Sequence, residues 1–165
     1  MTLINSKGTE STSIFGGLTL NNKSKANVTL TADVKFAEAS KRTKAINITG
    51  NKLNNTIFGS SGSDKLYGLA GNDSLLGNAG NDVFIYKTGD GNDTIFDYDN
   101  GDMLKILKAD GSEGGTFSSS SSKSSKLTLA IDSGSTVPFD GVSKSDTFNI
   151  NGTSYKISGK KLAIN

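Results

Sequence analysis

Residues 59–85 read GSSGSDKLY, GLAGNDSLL and GNAGNDVFI: three nine-residue units end to end, each with glycine first and fourth, aspartate sixth and a large apolar residue eighth. The period runs outward in both directions. Upstream, residues 50–58 (GNKLNNTIF) keep the first glycine and an apolar Ile57, with Leu53 fourth and Asn55 sixth. Downstream come two inserted residues, Tyr86 and Lys87, then residues 88–96 (TGDGNDTIF) and 97–105 (DYDNGDMLK). The fourth place thus holds Gly62, Gly71, Gly80 and Gly91, and the sixth Asp64, Asp73, Asp82, Asp93 and Asp102. The eighth place holds Ile57, Leu66, Leu75, Phe84, Ile95 and Leu104, and Ile48 continues that phase upstream. Glycine suits a tight turn or a close backbone approach. A unit of turn residues followed by a short strand with one inward side chain is a rung. It cannot bury that side chain alone, so a fixed period of this kind implies stacking.

The units resemble the glycine- and aspartate-rich nonapeptides of the repeats-in-toxin (RTX) family, the haemolysin-type calcium-binding repeats, whose pattern is G-G-x-G-x-D-x-U-x with U large and apolar. Three consecutive units match the first, fourth, sixth and eighth places. The second place departs, with Ser60, Leu69 or Asn78 for glycine. The resemblance implies an all-β fold, a right-handed parallel β-roll (β-solenoid) in which two units make one turn and units i and i+2 stack, with β-strand caps at both ends. It implies Ca²⁺ between stacked turns, two or more ions, held by sixth-place carboxylates and backbone carbonyls. Carried onto this chain, one site uses Gly59, Ser61 and Asp64 with Asn78, Gly80 and Asp82. A second uses Gly68, Ala70 and Asp73 with Gly89, Gly91 and Asp93. A weaker set joins Gly50, Lys52 and Asn55 to Leu69, Gly71 and Asp73. A last one starts from Gly77, Ala79 and Asp82, with Asp97, Asp99 and Asp102 available above.

The residue types agree with that chemistry independently. Ca²⁺ takes about six to eight oxygen ligands, which Asp and peptide carbonyls supply. The chain has no His and no Cys, which removes the usual zinc, copper and iron–sulfur donor sets and the Ser-His-Asp and Cys-His catalytic groupings. Between Asp64 and Asp102 eight Asp face only Lys65 and Lys87, a net of −6 that leaves +8 for the rest of a chain whose total is +2. Stacked carboxylates repel without a cation between them, so the roll is expected to be loose without Ca²⁺ and to fold when it binds.

The flanks carry weaker signals. Residues 27–36 (NVTLTADVKF) and 44–49 (KAINIT) alternate as half-buried strands do. The basic residues 41–44 read as a solvated turn, and 35–41 (KFAEASK) could form a turn or two of helix. Residues 2–20 read as degenerate rungs or a cap. Residues 118–125 (SSSSSKSS) read as a mobile loop and 126–131 (KLTLAI) as a strand. Residues 147–150, the turn pair Asn151–Gly152 and residues 155–157 read as a hairpin, with a last strand at 161–164. Phe148, Ile150, Tyr155, Ile157, Leu162 and Ile164 are expected to cover an open end of the roll. The organisation expected is therefore a cap or degenerate rungs over 1–49, the calcium-binding roll over 50–105 and a β-rich cap over 106–165.

No apolar run is long enough to span a membrane, and residues 1–8 lack a charged-then-apolar leader pattern. The resemblance implies export by type I secretion machinery through an uncleaved C-terminal signal, expected within 152–165, and an extracellular location. It also implies a fused effector domain outside this chain. A second reading is a polysaccharide- or cell-surface-binding module, with Arg42, Lys44, Tyr67, Tyr86 and Tyr98 as contacts. A catalytic reading finds no Gly-x-Ser-x-Gly with a His partner and no His-Glu-x-x-His, so no enzyme activity is expected. Nucleic acid is disfavoured by the acidic middle.

Overall fold

The computed structural model describes residues 10–12, 17–121, 126–131, 134–143, 145–158 and 161–164. All regular structure in them is strand: β1 (Glu10–Thr12), β2 (Gly17–Leu20), β3 (Asn27–Thr29), β4 (Phe36–Glu38), β5 (Asn47–Thr49), β6 (Thr56–Phe58), β7 (Lys65–Tyr67), β8 (Ser74–Leu76) and β9 (Val83–Lys87). These are followed by β10 (Thr94–Phe96), β11 (Met103–Leu107), β12 (Phe117–Ser121), β13 (Lys126–Ile131), β14 (Thr136–Asp140), β15 (Thr147–Ile150), β16 (Thr153–Ser158) and β17 (Lys161–Ile164).

The strands alternate between two sheets, ordered β1-β2-β4-β6-β8-β10-β14-β13-β12 and β17-β16-β15-β11-β9-β7-β5-β3. From β2 to β11 successive strands go to opposite sheets, and each strand from β2 to β9 pairs in parallel with the one two positions on. The chain is a β-solenoid with two units per coil, as the resemblance implies. The eighth-place residues form two columns facing each other. Leu18, Ala37, Ile57, Leu75, Ile95 and Phe139 run up one sheet. Val28, Ile48, Leu66, Phe84, Leu104 and Ile150 run up the other. From Ile57 to Leu104 each is at most 1% exposed. A three-residue strand sends one side chain inward, so each rung contributes about 1.5–3 kcal/mol of burial at most.

The inserted Tyr86 and Lys87 lengthen β9 to five residues. The register survives, because Ile106 and Leu107 of β11 pair with them. At the far end β14 and β15 add one more rung to each sheet, parallel to β10 and β11. Antiparallel strands then close both sheets, β13 and β12 on one, β16 and β17 on the other. The outer strands meet, where the Leu162 N–H donates to Ser119 Oγ at 2.7 Å and the Phe117 and Tyr155 rings lie 5.6 Å apart. β1 caps β2 antiparallel at the opposite end.

Several flank readings change. Residues 27–36 are not one strand: β3 ends at Thr29, the chain turns, and β4 begins at Phe36. The inward pattern continues round the corner through buried Leu30 and Val34, so the alternation outlasts the strand. The helical reading of 35–41 fails, because β4 occupies it. The serine run is strand as far as Ser121, paired with β13, and residues 122–125 lie outside those described, as do residues 2–9 and 13–16 of the N-terminal reading. Strand β14 went unread. Ile164 is 76% exposed and covers nothing, whereas Phe148 and Ile150 are buried and Tyr155, Ile157 and Leu162 pack against the core. The expected hairpin forms across Asn151 (φ 49°) and Gly152 (φ 81°), two left-handed residues that match the twist of antiparallel strands.

Candidate calcium sites

The turns between strands stack on two flanks. Turns 50–55, 68–73 and 88–93 lie on one, continuing 30–35. Turns 59–64, 77–82 and 97–102 lie on the other, continuing 21–26 and 39–46. Glycine is required at the fourth place of three units. Gly71, Gly80 and Gly91 have φ of 128°, 131° and 125°, and a Cβ on Gly80 would stand 2.8 Å from the Gly62 carbonyl one coil below. First-place glycines serve the acid of their own unit, since a Cβ on Gly68 or Gly77 would land on Oδ2 of Asp73 or Asp82.

The sixth-place acids form a ladder on each flank. Oδ1 of Asp64, Asp82 and Asp102 accepts the N–H of Ile46, Asp64 and Asp82 respectively, each at 2.8 Å. On the other flank Oδ1 of Asp73 accepts from Asn55 at 2.6 Å and that of Asp93 from Asp73 at 2.9 Å. Each carboxylate thereby grips the peptide one coil below. The second oxygens differ. Oδ2 of Asp73 and of Asp82 is buried with no hydrogen-bond partner among the described residues. Asp64 is satisfied by Ser60, whose hydroxyl donates to Oδ1 at 2.7 Å and whose N–H donates to Oδ2. Asp102 Oδ2 accepts the Asp99 N–H at 3.0 Å.

Burial drives the acids' protonation. Asp82 and Asp93 are pushed up to about 7, and Asp73 and Asp102 to about 6, chiefly by loss of water around the charged form. Neighbouring acids add to this, Asp102, Asp64 and Asp97 on Asp82, and Asp73 and Asp90 on Asp93. Asp64 is also raised by burial, while the Ser60 hydrogen bonds and the Arg42 charge pull it down.

The turns of the first two expected sites are neighbours in the stack. Asn78 Nδ2 donates to the Gly59 carbonyl at 2.8 Å, joining 77–82 to 59–64 beside the Asp64–Asp82 contact. The Gly71 N–H donates to the Asp90 carbonyl at 2.7 Å, joining 68–73 to 88–93 beside the Asp73–Asp93 contact. Several expected ligand atoms have other partners. The Gly91 carbonyl accepts the Tyr86 hydroxyl at 2.9 Å. Asp97 is exposed and accepts the N–H groups of Gly77 and Asn78 at 3.0 and 2.8 Å, and exposed Asp99 accepts that of Gly101. Ser61, Ala70 and Gly89 are exposed at the turn surface.

Sequence reasoning missed three residues here. Ser60, in the second place, is fully buried on Asp64. Asp90 is 7% exposed, accepts the Tyr67 hydroxyl at 2.9 Å and acts electrostatically on Asp73 and Asp93. Its only signal was an extra acid in a unit that already had one. Arg42, read as solvated, is 3% exposed. Of the five residues chosen as polysaccharide contacts, Arg42, Tyr86 and Tyr98 are buried.

No three acids converge on one point among the described residues, so a cation here would draw most of its oxygens from carbonyls. Two buried carboxylate oxygens without donors, in glycine turns rich in carbonyls, fit a hard oxygen-seeking cation. Residues 49–84 match the family model of the RTX calcium-binding nonapeptide repeat, in four copies. Residues 49–84 carry RTX calcium-binding repeats. No curated protein matches it. The RTX stacking continues beyond the matched segment, since β10 and β11 repeat the pairing of β8 and β9. No helix among the described residues is long and apolar enough to cross a membrane.

Proposed function

We propose that the chain is a calcium-triggered folding module of a secreted protein, binding one ion or more on each flank of the roll. The observation that carries this reading is the pair of partnerless buried oxygens, Asp73 Oδ2 and Asp82 Oδ2, one on each flank. A buried acceptor left without a donor costs about 1–3 kcal/mol, more when charged. Asp82 would hold the ion with Asp64 and the carbonyls of Gly59, Ser61, Asn78 and Gly80. Asp73 would hold it with Asp93 and the carbonyls of Gly68, Ala70, Gly89 and Gly91. Bound calcium supplies the positive charge that a −6 segment lacks. For their part, the aspartates use Oδ1 to fix the spacing of the coils, and the fourth-place glycines keep the turns close enough for carbonyls of two coils to share one space.

The family resemblance supports the wider setting. It favours export by a type I machinery at low calcium, closure of the roll outside the cell and a fused effector domain elsewhere in the parent protein. The absence of His and Cys supports a module over a catalyst. Extracellular calcium modules bind at about 10⁻⁴–10⁻³ M, and that range is expected here. Far-UV circular dichroism in chelator, then with millimolar Ca²⁺, tests the reading. A rise in β signal with Ca²⁺ and none with Mg²⁺ is expected. A spectrum that does not move with Ca²⁺ overturns it.

A further inference from the structure

The acid ladders stop short of the N-terminal coils. By strand register the place filled by Asp64 and Asp82 is held by Ala26 and Ile46 in the two coils below. On the other flank Lys35 and Asn55 precede Asp73 in the same place. These coils nevertheless stack through the same parallel strand pairing as the acidic ones, and the carbonyls of their turns still need donors.

Arg42 meets that need. Its guanidinium lies buried between turns 21–26 and 39–46 and uses all three nitrogens on carbonyls. Nη1 donates to Asn21 O at 2.7 Å and Ser24 O at 2.9 Å in the lower turn. Nε donates to Lys44 O at 2.7 Å, and Nη2 to Ala45 O at 3.1 Å, in its own. The Arg42 carbonyl accepts the N–H of Ser61 at 3.0 Å, which ties the same residue to the first acidic turn above. On the opposite flank Asn51 Nδ2 donates to Thr31 O at 2.6 Å and Val34 O at 2.7 Å, and Asn55 Nδ2 to Val34 O at 3.1 Å. One fixed positive charge and two amides thus gather the carbonyls of two coils.

We infer that Arg42 is a built-in cation that replaces a metal ion between the N-terminal coils, so that residues 17–49 hold their structure without calcium and template the closure of 59–102. The contrast rests on the calcium reading of 59–102, but the role of Arg42 is separable from it. Guanidinium suits the task because its charge is permanent and its donors are fixed in a plane. Losing hydrogen bonds to a charged group shifts a local opening equilibrium by about ten- to a hundredfold.

Hydrogen exchange read by peptide mass on the full chain tests the inference, in chelator and in millimolar Ca²⁺, for the parent and for Arg42→Gln and Arg42→Lys. In the parent, peptides within 17–49 should stay protected in chelator while those within 59–102 exchange at least about tenfold faster. Arg42→Gln should open 17–49 in chelator about ten- to a hundredfold, and Arg42→Lys, which keeps the charge, should fall between. Equal exchange of 17–49 and 59–102 in the parent without calcium overturns the inference, and so does an Arg42→Gln chain that exchanges like the parent. If Ca²⁺ fails to protect 59–102, the calcium reading fails, whatever Arg42 does.

Discussion

Asp82 spends one oxygen on the Asp64 N–H and keeps the other buried and alone. Its charge is therefore a liability without a cation, and in the proposed function it would be a ligand with one. Asp82→Asn should raise metal-free stability by about 1–3 kcal/mol by removing an unmet buried charge. The same change should strip most of the calcium-induced rise in melting temperature. Melts with and without Ca²⁺ test both halves together, and an Asp82→Asn chain that still gains as much from Ca²⁺ as the parent would place the ion elsewhere. Leu69 poses a backbone question. It sits in the second place, where the RTX pattern has glycine, and takes φ of 67°. A left-handed side chain costs about 1–2 kcal/mol, partly offset by the entropy glycine loses on folding, about 0.5–1 kcal/mol. Leu69→Gly should then stabilise the calcium-bound roll by up to about 1 kcal/mol, read as a raised denaturation midpoint.

At the scale of elements, the C-terminal end is sealed by aromatic packing. The Tyr98 ring stacks on Phe148 at 5.4 Å and meets Phe139 edge-on at 5.1 Å. The Tyr98 hydroxyl donates to the Asp102 carbonyl and accepts the Asn149 N–H, joining the last acidic turn to β15. Phe148→Ala should cost about 3–5 kcal/mol and loosen β15 and β16 even at saturating Ca²⁺, visible as lost exchange protection there. The strands from β6 to β11 were legible because every unit repeats the same demand, a glycine where backbones touch and one apolar residue facing in. Strand β14 was not, since Pro138 argues against a strand inside a sheet. On the β10 side it is tolerated because the parallel ladder begins one residue later, at Phe139, and on the other side it lies opposite Thr128 of β13. The serine strand was hidden by its composition, and its pairing comes from the edge that β13 offers. Asp73 and Asp82 could be placed from spacing alone. Arg42 could not, because its partners are backbone carbonyls, two of them in another coil, and carbonyls leave no mark in a sequence.

For the whole molecule, the buried acids reverse the usual effect of pH. The unfolded chain's Asp groups titrate at about 3.9. Those of the metal-free roll are raised to about 6 for Asp73 and Asp102 and about 7 for Asp82 and Asp93. A raised folded value stabilises below the unfolded one, and that stability is lost as pH climbs through 6 and 7. In chelator the melting temperature should therefore be higher at pH 5 than at pH 8. In Ca²⁺ the order should invert, because the ion needs the ionised carboxylates. Melts across that range in both buffers check the crossing, and parallel trends would contradict it.

The aspartate–amide ladder has one more effect. Asp102 holds the peptide of Asp82, and Asp82 holds that of Asp64, so ordering one rung positions the carboxylate of the next. Neighbouring sites then share free energy, as spins do in a one-dimensional lattice. A calcium titration should rise more steeply than a single-site hyperbola. The module would thus respond as a threshold, nearly insensitive to calcium over a wide low range and fully assembled within a narrow one.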